Sequence, residues 1–357
     1  MAGALSGFFD RFRGSGAHSV SVPPFDGALR PNELIETGEL AATAPLPDNL
    51  CLTASGVAYS SGETLFRLDG TLLQRLPAPI TALAAHAATL AVGLESGGVV
   101  IRGGPFDGRT ILSLDGRVLN CPTAIAFRDA HTLIIANGSA RNAPSHWKHD
   151  LLDGHNTGSV WQLDLPSGKS RCLADELAYP YGLLQLEDGG VLVSESWRHR
   201  LVRVAADQPL IVQLGNLPAY PARICSCAAG GVWVAMFAPR RRLVEFVLRE
   251  PAYRKRMMAE IPSDYWIGPT LAPMASFLEP LQGGTLKQLA RLKPWAPSRS
   301  YGLILRLDAK FQPVTSLHSR ADGRRHGIRS VIEVADGLLA ASAGANAIVM
   351  IKPGQGA

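Results

Sequence analysis

Short apolar runs of four to eight residues, closed by Gly, Asp or Ser turns, recur along almost the whole 357-residue chain. A unit repeats: usually a Pro, then an aliphatic stretch, a tight turn, and a second apolar stretch that ends in small residues. Its instances are Pro47-DNLCLTASGVAYSSG, Pro79-ITALAAHAATLAVGL, Pro122-TAIAFRDAHTLIIANG, Pro180-YGLLQLEDGGVLVSES, Pro221-ARICSCAAGGVWVAMF and His326-GIRSVIEVADGLLAASAG. After most of them a second strand pair follows, as in TLFRLDGTLLQRL and SVWQLDLPSGKSRCL, reversed at an Asp-Gly or Ser-Gly turn.

Four strands per unit and six units predict an all-β chain folded as a six-bladed β-propeller. A ring of small sheets leaves only short, protected edges, which suits a chain with this many strands. The predicted ring spans 33–357, behind an N-terminal tail at 1–32, and ELIETGEL (Glu33 to Leu40) is expected to supply the strand that closes it against the sixth unit. Two stretches break the spacing. Gly138 to Asn156 is a long connection inside the third blade, and 240–300 is a mostly helical insertion in the fifth. Within the latter LVEFVLREPAYRKRMMAEI reads as helix and TLAPMASFLEPLQGGTLKQLARLKPWAP as helix, turn and helix. Long loops on a rigid scaffold are where function concentrates, so both are candidates to cover one mouth of the central channel.

Composition agrees: 46% hydrophobic, 18% charged, 36 Gly and 25 Pro. The net charge of +5 is spread out, with one dense run at Arg240-Arg241-Arg242 and no interleaved aromatics, so nucleic acid is not an expected partner. The five cysteines are odd in number and widely separated, which gives neither a disulfide framework nor a zinc site. No secretory leader is read at the N-terminus, and a reducing, cytoplasmic setting is inferred. Leu5, Phe8, Phe9 and Phe12 would form an apolar stripe on a short helix, which either packs on the body, frays as a tail, or docks weakly to a membrane or protein through residues 1–13.

On SHWKHDLLDGHNTGSVWQLDLPSGKSRCL, AYPYGLLQLEDGGVLVSESWRHRLVRV and NLPAYPARICSCAAGGVWVAMF, in that order, the chain resembles the strictosidine synthase-like six-bladed propellers, which are related to the senescence marker protein/gluconolactonases and paraoxonases. The resemblance implies a site at the channel mouth built from blade-start residues. In the lactonase relatives these hold a catalytic calcium. Carried onto this chain the positions are Asp48 or Asn49, Thr123, Tyr181 and Ala222, with Arg223 where the family commonly has Asn, a set that makes a poor oxygen cage. No metal and no other cofactor is therefore expected. The synthases use a sixth-blade glutamate; the matching region here offers Arg329 or Ser330, with Glu333 further along the strand.

The ligand-contacting residues expected from this register are Asn49, Thr123 and Arg223, with Trp147 from the third-blade connection, and the residues expected to act chemically are Tyr181 and His326. Arg223 would clamp a carboxylate or phosphate, Tyr181 would stack on or hydrogen-bond to the ligand, and His326 would serve as a base. The competing reading has Arg223 lying over the Tyr181 ring and plugging an inactive channel. Glu195, Arg198, His199 and Arg200 read as a network tying strands together, and His146, Trp147, His149 and Asp150 as a loop over the channel. The functional expectation is a propeller that acts on or binds a small anionic or aromatic molecule without the family's calcium. A lactonase/esterase-type hydrolase and a non-catalytic binding or scaffold propeller stand as alternatives.

Overall fold

The structure, a computed structural model, describes residues 21–273, 287–288, 291–292 and 299–352. Six four-stranded antiparallel sheets form the blades of a propeller. Their innermost strands are Asp48–Thr53, Ile80–His86, Pro122–Asp129, Pro180–Gln185, Ala219–Ser226 and Ile328–Val334, one from each repeated unit. Each touches the innermost strand of the next blade, and the sixth returns to the first, so the ring is closed.

Period-2 alternation cannot fill blades buried on both faces, and the second strands show the result. Val232–Pro239 is buried at every position, as is Val191–Glu195. The core is divided into clusters between neighbouring blades. One joins blades five and six through Trp233, Ala235, Ile304, Val331 and Leu338, and another joins blades two and three through Ala91, Ile101, Ile135 and Trp161. Small residues at the inner strands permit close approach. A Cβ on Gly182 would stand 2.4 Å from the Ala222 carbonyl and 2.9 Å from the Arg223 Cα, so glycine is required for blade four to lie against blade five there.

The closing strand is Glu39–Thr43, paired antiparallel with Ala347–Ile351. The expected strand at Glu33 to Leu40 is corrected: Leu34–Thr37 is a short helix, α1, whose first N–H groups include that of Leu34 donating to Asn32 Oδ1 at 3.2 Å. The preceding residues lie on blade five. Phe25 stacks on Tyr301 with ring centroids 5.7 Å apart, and Asn32 bonds both the Ser316 carbonyl and the His318 N–H.

The long connection in blade three carries helix α2, Trp147–Asp153. The insertion leaves blade five after Pro239 and forms α3, Arg242–Leu248, and α4, Pro251–Glu260, separated where Pro251 begins a new helix. Val247, Met257 and Trp266 of the insertion pack on Leu152 of α2. Two-residue strands at Lys287–Gln288 and Arg291–Leu292 pair with each other, where the sequence reading expected helix; the remainder of that expected helical pair, Thr270 to Pro297, from 274 on, and the apolar stripe at Leu5 to Phe12, lie outside the described residues. All five cysteines are free. No helix among the described residues is long and apolar enough to cross a membrane.

Candidate functional site

In all six blades the ladder between the first and second strands slips near its start. The irregularities fall between Asp48 and Cys51, Ile80 and Ala82, Pro122 and Ala124, Pro180 and Gly182, Pro221 and Ile224, and Ile328 and Ser330. A bulge leaves a residue out of the ladder and re-aims its side chain. The residues so released include Asn49, Thr81, Thr123, Tyr181, Arg223 and Arg329, which makes one end of the channel a ring of non-ladder positions.

These side chains build a buried ion network across four blades. Arg223 Nε donates to Asp48 Oδ1 at 2.8 Å and Nη2 to Oδ2 at 3.1 Å, while two more of its N–H groups, on Nη1 and Nη2, reach the Thr123 and Thr81 carbonyls at 2.7 and 2.8 Å. Arg329 Nη2 stands 2.6 Å from Asp48 Oδ2, and its Nε donates to the Tyr181 hydroxyl at 2.9 Å. The Arg223 guanidinium lies over the Tyr181 ring, 5.1 Å from its centroid. Burial would raise the Asp48 carboxyl, but Arg223 and Arg329 outweigh it and hold the group down at about 2. Burial also pushes the Tyr181 phenol up, against the pull of Arg329 and Arg223, so it stays protonated. One carboxylate serves two guanidinium groups, leaving the floor with one excess positive charge.

Above this floor lies a cavity of about 340 Å³, the size of a small-ligand site. Aromatic rings wall it: Tyr179 stacks on Trp197 at 4.5 Å, Phe237 meets Tyr181 edge-on at 6.0 Å, and Trp147 meets Phe237 edge-on at 5.6 Å. Helix α2 is fastened over one side by the Trp197 indole, which donates to Asp150 Oδ1 at 2.8 Å. Glu95 stands at the rim and accepts from the Ser145 N–H. Arg329, with its side chain 23% exposed, reaches the cavity, and its Nη1 has no partner among the described residues.

Thr123 and Tyr181 from blade starts, and Trp147 from the third-blade connection, line this cavity. Three other expected residues sit elsewhere. Arg223 lies one layer beneath the lining, with four of its five N–H groups given to Asp48 and two carbonyls, so it is not placed to clamp a ligand as expected. Asn49 is buried with a positive φ of 53°, and its Nδ2 donates to Ser60 Oγ at 2.8 Å instead of facing the cavity. His326 is not channel-facing: it precedes its strand, with Nδ1 2.7 Å from Ser300 Oγ and Nε2 2.7 Å from the Arg320 carbonyl. Burial lowers its pKa against the opposing Arg320 carbonyl, and both ring nitrogens are occupied, so it is not placed to take a proton from a ligand. Sequence reasoning missed Asp48 and Arg329 as the charged pair of the floor, and Tyr179, Trp197 and Phe237 as wall. The bulge position was the signal for Arg329.

The donor set does not suit a calcium ion. Asp48 is the only carboxylate on the floor among the described residues, its oxygens are taken by guanidinium, and Arg223 and Arg329 put fixed positive charge where the ion would sit. Among the described residues no group of three His, Cys, Asp or Glu side chains is close enough to hold a metal. The Glu195 cluster ties strands together: its carboxylate, fully buried, accepts from the Ala178 N–H at 2.7 Å and from Arg198 and Arg200. Glu333 is similarly engaged, accepting from the Trp233 indole at 2.8 Å and the Ala228 N–H.

Fold and site together define a six-bladed propeller with an aromatic-walled, cation-floored cavity at one mouth of its axis. The same fold is found in a gluconolactonase from Xanthomonas campestris, 12% identical, with 94% of this chain and 95% of that one covered at a TM-score of 0.57. A second structure assigned as a gluconolactonase is 12% identical, with 88% and 92% covered at a TM-score of 0.53. Adipocyte plasma membrane-associated protein of Danio rerio is 25% identical over 137 residues, which is 36% of this chain and 33% of that protein, so the match spans about a third of the relative's length. No family model matches the chain.

Proposed function

We propose that the protein binds, and turns over without a divalent cation, a small organic molecule with an aromatic or apolar body and one anionic group. The observation that carries this reading is the shared carboxylate: Asp48 answers two arginines, so the floor of an aromatic-walled cavity keeps an unbalanced positive charge. An anion directed at Arg329 would supply the missing counter-charge through a charge-assisted hydrogen bond, and the rings would cover the apolar body. Glu95 at the rim repels a second anion and so favours one orientation, charged end downward.

Arg329 and Tyr181 are the residues that would act on the bound molecule. Tyr181 accepts from Arg329 Nε, which leaves its own O–H to donate into the cavity, toward a carbonyl or developing oxyanion. The fold shared with gluconolactonases makes lactones and esters the first reactions to assay, with condensation of an aryl amine and an aldehyde, as in strictosidine synthases, the second. The test is thermal shift and calorimetry against a panel of carboxylates, lactones and aryl amines. Stabilisation by aryl carboxylates is expected, with affinity falling at least ~10-fold in Arg329→Met. Binding by neutral compounds alone, or an affinity unchanged in that variant, would overturn the reading.

A further inference from the structure

A second buried cluster lies behind the aromatic wall, where the insertion leaves blade five. Arg241 sits between the end of Val232–Pro239 and α3 and is 3% exposed; its side chain has no ion-pair partner among the described residues, and its Nε and Nη1 are shielded from solvent and have no acceptor. The adjacent acid is already taken. Glu245 is bound in two places by Arg240, from Nε to Oε1 at 3.1 Å and from Nη2 to Oε2 at 3.2 Å. The Tyr220 hydroxyl, fully buried, also lacks a partner, and its ring packs 4.6 Å from that of His199. His199 Nε2 is unpartnered too, 3.5 Å from Glu245 Oε1, too long for a hydrogen bond.

These groups share one neighbourhood. Tyr220 pairs with Ala238 across the ladder and the Arg240 N–H donates to the Pro218 carbonyl at 2.9 Å, which seats Arg241 at the same end of blade five as Tyr220. Burial first, and then the Glu245 carboxylate, pushes the Tyr220 phenol up, and Arg241 is lowered to about 10 by burial and then by the Arg299 guanidinium. Lys148 of α2 is lowered as well, by burial and then by Arg299. Buried donors are almost always satisfied, and a buried charge without a counter-ion is strongly disfavoured. An arginine with a pKa near 10 remains charged at neutral pH, so the charge is there to be answered.

We propose that a small inorganic anion of chloride's size binds between Arg241 Nε/Nη1 and the Tyr220 hydroxyl, and fastens the insertion to blade five. The occupant must be small, because Arg241 Nε and Nη1 and the Tyr220 hydroxyl are all enclosed. It must be an anion, because Arg241 and Tyr220 offer N–H and O–H groups around one positive charge. Tyr220 touches Trp197 and Phe237 edge-on or tilted, at 6.0 and 5.5 Å, so the site lies directly behind two wall residues of the channel cavity.

The test uses the full chain in chloride and in a bulky organic-anion buffer at equal ionic strength. Chloride at about ten times its dissociation constant is expected to raise Tm by roughly 3 °C, and to slow tryptic cleavage after the exposed Arg249, Lys255 and Arg256. Crystals grown in bromide should show an anomalous peak within hydrogen-bonding distance of Arg241 Nε or Nη1. Arg241→Met should abolish the chloride response; Tyr220→Phe, which keeps the ring, should weaken chloride binding several-fold if the first variant fails to fold. No halide peak at Arg241, or a chloride response equal in wild type and Tyr220→Phe, would overturn the proposal.

Discussion

Two carboxylates in this propeller are each gripped by a pair of arginines, and they do different work. Glu195 holds Arg198 and Arg200, neighbours in sequence, at a turn between strands of one blade. Asp48 holds Arg223 and Arg329, from blades one, five and six, under an open cavity. The chemistry is the same; the difference is reach. A local cluster is satisfied by its own turn and needs nothing more, since the Ala178 N–H completes it. The cluster on the axis exists only when the ring closes, and its charge is left unbalanced toward the cavity.

Substitution separates the axial network from the local one. Arg223→Met should cost about 3–5 kcal/mol, because it strips a buried carboxylate of its main partner while emptying two carbonyl contacts; urea unfolding checks it. Glu195→Gln should cost less, about 2 kcal/mol, because Arg198 and Arg200 are partly exposed and can turn to water. Equal losses would erase the distinction between the axial and local networks.

The axial carboxylate also carries a pH signature. The folded Asp48 carboxyl is held at about 2 against an ordinary 3.8, so its contribution is complete above about 3.8 and disappears as pH falls through about 2. The gap of about 1.8 pH units corresponds to about 2 kcal/mol, so the stability difference between wild type and Asp48→Asn should narrow by that amount between pH 5 and 2. A constant difference would mean Asp48 is not held ionised. The smallest effect expected is in Tyr181→Phe, about 1 kcal/mol or less in stability, with turnover of any substrate found for the cavity falling more than its binding. Loss of binding alone would make Tyr181 part of the wall and not of the chemistry.

The ring itself was legible from the chain because six units repeat the same strand, turn and strand. The contact of Arg223 with Tyr181 was legible too, since both stand at blade starts. Asp48 and Asn49 could not be told apart, because the ladder slips at that point and one residue decides which side chain faces the axis. Arg329 was read as the place of a missing acid rather than as a charge in its own right. His326 misled because it stands where Pro opens other units, three residues before the bulge. Tyr179, Trp197 and Phe237 look like core in sequence; only their convergence across blades makes them a wall.

The pairing of Glu39–Thr43 with Ala347–Ile351 sets the order in which these features can arise. A ribosome must release Ala347–Ile351 before Glu39–Thr43 can be seated, so the sheet that completes the circle assembles only after the five blades between them have been made. Until then Asp48 has emerged long before Arg223 and Arg329, and must wait, hydrated, for both.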